Sequence, residues 1–127
     1  MAYKVFISAT VKDIDLARDL SRRLKEVGID VYSVEKAAVS SEAAFNRITL
    51  DLGRADEVLF IITDNSVDNP NLMYELGAAS SLRKRVTPVI IGIESNKLPS
   101  LIKGMKYVKY PDLPKYISDL QKRVKAA

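Results

Sequence analysis

The 127-residue sequence contains neither cysteine nor histidine. Without cysteine there is no disulfide framework, no thiolate zinc site and no cysteine nucleophile. Without histidine, Ser-His-Asp triads, Cys-His dyads and histidine metal sites are excluded. So is the side chain best suited to moving protons near neutrality. Any chemistry falls to carboxylates, hydroxyls and cations, and no metal site is expected. Glycine and proline number five each, against 47% hydrophobic and 28% charged residues. That balance excludes collagen-like and disordered chains and fits a globular protein. The longest uninterrupted apolar run, Val58 to Ile62, falls far short of the ~20 residues that span a bilayer. Met1-Ala2-Tyr3-Lys4 leads directly into strand-like sequence, without the apolar stretch and cleavage site of a secretory leader. A cytoplasmic protein without membrane partners is therefore expected.

The length suits one domain, residues 1–127, with a single core. Lysine and arginine exceed the acids by four, and the excess is uneven. From Lys97 onward there are eight cations and two acids, so the first 96 residues carry twelve cations and fourteen acids. A basic tail of this kind is either a solvated helix face or a surface that steers phosphate-bearing partners. Tyr107, Tyr110 and Tyr116 lie among its lysines, but Tyr107 and Tyr116 are placed to pack inward. With no nucleic-acid-binding motif present, nucleic acid is not the expected partner.

Along the chain, strand and helix alternate, with no internal repeat or linker. Lys4–Ser8 reads as a short apolar strand. Thr10-Val11-Lys12-Asp13 fits a capping box opening a helix on which Leu16, Leu20, Leu24 and Val27 recur at helical spacing. Gly28 closes that helix. A second strand spans Ile29–Val34, and Ser40 or Ser41 caps a helix running to about Gly53 with Phe45, Ile48 and Leu52 on one face. Glu57–Thr63 is apolar at consecutive positions, which marks a strand buried on both faces of a parallel sheet. Asp68-Asn69-Pro70 supplies an N-cap and first-turn proline for a helix reaching about Arg83. Strands over Thr87–Ile93 and Lys106–Lys109 follow, and a helix over Leu113–Val124 closes the chain.

Right-handed crossovers turn this alternation into a five-stranded parallel sheet with helices on both faces. The expected fold is a flavodoxin-like α/β three-layer sandwich with strand order 2-1-3-4-5. In that order the ligand crevice opens at the carboxyl ends of the first and third strands. It is bordered by residues 8–12, residues 63–69 and the helix after Pro70. A phosphoacceptor receiver would need an acidic pair just after the first strand to hold Mg²⁺, where this chain has Ser8-Ala9-Thr10. A flavodoxin or dinucleotide enzyme would need a phosphate-wrapping loop there, and Ser8–Lys12 has no glycine.

The remaining candidate is the helix itself. Glu75 follows Asn71 by four residues and Leu72 by three, so all three project to one side near the crevice. Gly77 within the helix suggests close approach by a strand or a ligand. On spacing alone, Glu75 is either a solvated acid favoured by the helix dipole or a carboxylate set in a cleft for chemistry.

The segments Val5–Ser8 followed by Asp13, Asp15 and Ala17, Gly28–Tyr32, Asp56–Thr63 and Asn69–Ala79 resemble, in this order, the motifs of TIR (Toll/interleukin-1 receptor) domains. The match covers nearly the whole chain and is nearest to bacterial TIR-like proteins. Pro-Asn-x-x-x-Glu-Leu-Gly-x-Ala, beginning at Pro70, is its most specific part. The resemblance implies cleavage of the N-glycosidic bond of NAD⁺ by a helical glutamate, which corresponds to Glu75. Family members often have a tryptophan four residues earlier. Asn71 takes that place here, as in a TIR-like subgroup grouped with nucleotide-binding proteins.

Nicotinamide leaves NAD⁺ as a neutral molecule, so no general acid is required, and a chain lacking histidine can do the chemistry. One carboxylate, a dry pocket and donors for the diphosphate suffice. The expected roles are Glu75 as catalytic carboxylate and Phe6 and Leu72 as pocket walls. Ser8, Thr10 and Asn71 would give hydrogen bonds, and Lys12 or Lys36 would meet the phosphates. Competing roles are core packing for Phe6 and Leu72, helix capping for Ser8 and Thr10, and solvation for Lys36.

NAD⁺ is thus expected as substrate, with no cofactor. The product would be linear ADP-ribose or cyclic ADP-ribose sensed by a downstream effector, as in prokaryotic antiphage immune signalling. Self-association through TIR–TIR contacts is expected for activity. Two alternatives stand beside this reading. One is a non-catalytic TIR adaptor that works through the loop after the second strand, where Val39 is an apolar contact. The other is an enzyme like the nucleoside 2-deoxyribosyltransferases, in which Glu75 is the nucleophile.

Overall fold

The computed structural model describes residues 3–32, 53–82 and 84–126. Lys36, Val39, the helix expected after Ser40 or Ser41 and the end of the second strand beyond Tyr32 lie outside the described residues.

Five strands, β1 (Lys4–Ser8), β2 (Asp30–Tyr32), β3 (Glu57–Ile62), β4 (Arg85–Ile90) and β5 (Val108–Lys109), form one sheet in the order β2-β1-β3-β4-β5. All four pairings are parallel. The described helices of a turn or more are α1 (Ile14–Glu26), α2 (Pro70–Ser81), α3 (Ser100–Lys103) and α4 (Leu113–Ala126). The β1-to-β2 crossover runs opposite in direction to the two that follow β3, so right-handed connections place α1 on one face and α2 on the other. α4 returns to the side of α1. Arg23 of α1 donates to the Tyr110 hydroxyl at 3.2 Å, and Gln121 of α4 donates to the Val27 carbonyl at 3.4 Å. The flavodoxin-like α/β fold expected from the alternation is the observed one.

All six residues of β3 are buried, as a strand covered on both faces requires. Val58, Leu59, Phe60, Ile61 and Ile62 form the centre of a core that gathers Val5 and Ile7 of β1, Leu20 and Leu24 of α1, Leu76 of α2 and Leu120 of α4. The loops are punctuated as the sequence indicates. α1 ends in a Schellman motif, with Gly28 at φ +84°, its N–H bonded to the Lys25 carbonyl at 3.0 Å and Ile29 N–H to the Leu24 carbonyl at 3.0 Å. Asn69 caps α2, its side-chain Oδ1 accepting from the Leu72 N–H at 3.1 Å.

Boundaries differ modestly. α2 stops at Ser81, β4 spans Arg85–Ile90 and β5 is trimmed to Val108–Lys109. The Thr10–Asp13 capping box is not formed. Val11–Asp13 make a 3₁₀ turn, α1 proper begins at Ile14, and Asp13 sits at its N-cap without a side-chain capping bond. Its carboxylate is engaged elsewhere. Gly77 is also not explained by close approach, because a Cβ built there meets nothing within 4 Å.

At the amino end of the sheet, Glu57 is fully buried and receives several donors. Tyr3 donates to Oε1 at 2.8 Å, Tyr116 donates to Oε2, and Arg123 reaches both oxygens at 3.1 and 3.0 Å. The Arg123 guanidinium also lies 5.6 Å from the centroid of the Tyr116 ring. Burial and the Glu57 hydrogen bond and charge push the Tyr3 phenol up to about 12, and burial together with Glu57 pushes Tyr116 higher still. The cluster fastens α4 to the first residue of the central strand.

Candidate active site

The switch point, where a crevice is expected, lies at the opposite end of the sheet, where β1 ends at Ser8 beside Phe60 and β3 runs on to Ile62. β1 delivers Ser8, which is almost fully buried, and α2 delivers Glu75, which is 7% exposed. The Ser8 hydroxyl donates to Glu75 Oε2 at 3.0 Å. Burial lifts the Glu75 carboxyl above the usual carboxylate range, and the Ser8 hydrogen bond partly opposes that rise. Glu75 is therefore not a solvated helical acid. It is a desolvated carboxyl at the carboxyl edge of the sheet, held by one short side chain from the neighbouring strand.

Among the described residues, the other expected site residues lie on β1, on the loop after it and on α2. Phe6 and Leu72 are buried members of the core, 3% and 4% exposed. Phe6 lies two residues before Ser8 on β1 and Leu72 one helical turn before Glu75 on α2, so both back the site from within the core. Thr10 is half-buried, and its hydroxyl donates to Asp13 Oδ2 at 3.2 Å. Lys12 is exposed in the 3₁₀ turn beside the crevice. Asn71 occupies the first turn of α2, and its side chain lies outside the described residues.

Sequence reasoning missed the role of Asp13, which is 2% exposed. Besides Thr10, its carboxylate accepts from the Thr63 hydroxyl at 2.8 Å (Oδ2) and from Asn65 Nδ2 at 3.1 Å (Oδ1). The loop after β1 is thereby tied to the loop after β3, across 50 residues of sequence. The Thr-x-x-Asp spacing carried a signal, but a purely local one, and nothing in it pointed to Thr63. Among the described residues no group of three or more acidic side chains is arranged to hold a metal ion.

A parallel sheet in the 2-1-3-4-5 order with helices on both faces defines a flavodoxin-like α/β domain, and here a buried glutamate stands at its switch point on the helix after β3. Within that class the sequence matches the TIR domain family over residues 5–123, and the chain belongs to that family.

Solved structures agree on the fold. The TIR domain of the Toll-related receptor TRR-2 from Hydra magnipapillata superimposes with a TM-score of 0.74 at 15% identity, over 98% of this chain and 99% of that one. A prokaryotic SEFIR domain gives 0.67 at 21% identity, over 97% and 92%. The Clostridium botulinum CMP N-glycosidase BcmB gives 0.66 at 22% identity, over 94% and 98%. The TIR domains of the activated Roq1 resistosome give 0.61 at 14% identity, over 99% and 86%. No curated protein sequence matches the chain. Among the described residues no helix is long and apolar enough to cross a membrane.

Proposed function

We propose that this TIR domain cleaves the N-glycosidic bond of NAD⁺ with Glu75 as the catalytic carboxylate. The observation that carries the reading is the placement of Glu75, buried at the carboxyl edge of the sheet and hydrogen-bonded to Ser8. Membership of the TIR family supports it. In the reaction the bond from ribose C1′ to the pyridinium nitrogen breaks, and its electron pair neutralises the departing nicotinamide. The sugar passes through an oxocarbenium-like cation. Glu75, ionised, stabilises that charge and orients the ribose hydroxyls, and the low-polarity surroundings strengthen the interaction. Water adds to C1′ and loses a proton, giving ADP-ribose. Attack by a ring nitrogen of the adenine gives the cyclic product. Thr10, Lys12, Lys36 and Asn71 serve the remainder of the nucleotide, no cofactor takes part, and self-association of the domain in the cytoplasm completes the site. The nucleotide product is the signal for an effector.

The test is mass spectrometry of products after the concentrated protein is incubated with NAD⁺ under crowding, beside Glu75→Gln. Nicotinamide release that is lost in the variant supports the assignment. Equal turnover by the variant overturns it, since the amide keeps the shape and removes the charge.

A second reading is favoured by the likeness to the CMP N-glycosidase. The same carboxylate would then act on a nucleoside 5′-monophosphate, and release of a free base from CMP in place of nicotinamide from NAD⁺ would decide for it. A domain that turns over neither, and whose sedimentation changes with concentration, is an adaptor.

A further inference from the structure

Asp13 has no role in the chemistry described above, yet it is almost fully buried at the edge of the crevice. A carboxylate in the N-cap position ordinarily accepts from the free N–H groups of its own helix. Asp13 makes no such bond. Its two oxygens take hydrogen bonds from Thr10 in its own loop and from Thr63 and Asn65 in the other. Burying the charge is costly unless donors replace water, and here three do.

Those donors lead to both halves of the site. On one side, Asp13 and Thr10 end the loop that begins at Ser8. On the other, Thr63 is the hub of a tight turn. Its hydroxyl accepts from the Asn65 N–H at 3.0 Å, its own N–H donates to Ser66 Oγ at 2.9 Å, and its carbonyl accepts from the Ser66 and Val67 N–H groups at 3.0 and 2.9 Å. The turn continues through the Asn69 N–H, bonded to the Ser66 carbonyl at 2.9 Å, to the cap of α2. Glu75 lies on the second turn of that helix. The strand and helix that carry the donor and acceptor of the Ser8–Glu75 bond are thus flanked by two loops that meet at Asp13.

We infer that Asp13 is a positioning residue: it clamps the β1–α1 loop to the β3–α2 loop and so fixes how closely the Glu75 carboxylate is held against Ser8 in a dry crevice. Asparagine is a poor replacement, because it offers one acceptor oxygen and turns its N–H₂ group toward groups that now donate, either Asn65 or the hydroxyls of Thr10 and Thr63. The kinetic consequence rests on the N-glycosidic reading above. The mechanical claim does not, and the experiment separates them.

The intact chain, labelled with ¹³C at the glutamate side-chain carboxyls, is titrated by NMR as parent, Asp13→Asn and Thr63→Val. The Glu75 resonance is assigned by its loss in Glu75→Gln. In folded Asp13→Asn the Glu75 midpoint falls toward the ordinary carboxylate value, because the loosened crevice admits water. The kcat for NAD⁺ cleavage falls by about 10- to 100-fold, the scale of a small misplacement of a reacting group, while KM moves much less. Thr63→Val acts in the same direction, and the double variant is no worse than Asp13→Asn alone, because both break one clamp.

An unmoved Glu75 midpoint in folded Asp13→Asn overturns the proposal, whatever the parent's activity. A moved midpoint in a parent that leaves NAD⁺ intact upholds the clamp and counts against the substrate. If Asp13→Asn does not fold, the near-isosteric Thr63→Val decides by the same readouts.

Discussion

Ser8 and Glu75 stand 67 residues apart in sequence and share one buried hydrogen bond, with the serine hydroxyl donating to the carboxylate at 3.0 Å. The bond favours the ionised form of a group whose burial favours the protonated one. Ser8→Ala removes it. Hydrogen bonds to charged groups contribute about 1.5–3 kcal/mol, so the acidic limb of the pH–rate profile moves to higher pH in the variant. Turnover falls most on the acidic side of the profile, where less of the Glu75 carboxyl is ionised. Profiles of kcat/KM for NAD⁺ cleavage in parent and variant check this.

The raised Glu75 also marks the stability of the fold. Between the carboxyl's ordinary value of 4.5 and its raised value in the crevice, the folded protein holds a proton that the unfolded chain has released. Stability from this group is therefore full below the ordinary value and lost as the pH rises through the raised one. Glu75→Gln removes the loss while its amide oxygen can still accept from Ser8. The variant is expected to be more stable than the parent at neutral pH, with the difference vanishing below about pH 4. Denaturant unfolding at several pH values measures it.

At the other end of the sheet, Glu57 is a fully buried charge with Arg123 as its close cationic partner. Arg85 stands farther off at 3.8 Å and is largely exposed. Arg123→Met leaves Glu57 with its tyrosine donors and that distant cation, and destabilises the fold by about 3 kcal/mol, the scale for removing one partner of a buried pair. Arg123→Met combined with Glu57→Gln recovers part of the loss. Chemical denaturation of the single and double variants tests the pairing, with no change expected in the Glu75 titration.

Gly77 occupies a helix interior where a methyl group would meet nothing within 4 Å. Gly77→Ala therefore gains helix propensity without a clash and stabilises the protein by about 1 kcal/mol. A thermal-unfolding midpoint that falls instead would show that the empty space is filled in the working protein.

The strands were legible because the consecutive apolar residues Val58–Ile62 can only be covered on both faces, and because Gly28 and Asn69-Pro70 carry local chemistry that stops and starts helices. Glu75 was legible as a residue near the crevice. Its bond to Ser8 was not, since spacing along one helix gives no information about a strand 67 residues away. Asp13 misled for the same reason: a Thr-x-x-Asp pattern specifies a cap locally, and the donors of Thr63 and Asn65 outbid the helix N–H groups only once the sheet has formed. Glu57 read as the polar start of a strand, and only the return of α4 reveals why it is buried.

The outermost strand β5 pairs through only Val108 and Lys109 before Pro111 enters the following turn. Such a stub offers an incoming strand very few free backbone groups. It also carries an exposed lysine, and two residues beyond that lysine comes a proline, with no N–H to donate. The β5 side of the sheet is in effect a sealed margin, poorly suited to continuous β-pairing between copies. Any ordered stack of these domains must be built from helices, loops or the opposite edge.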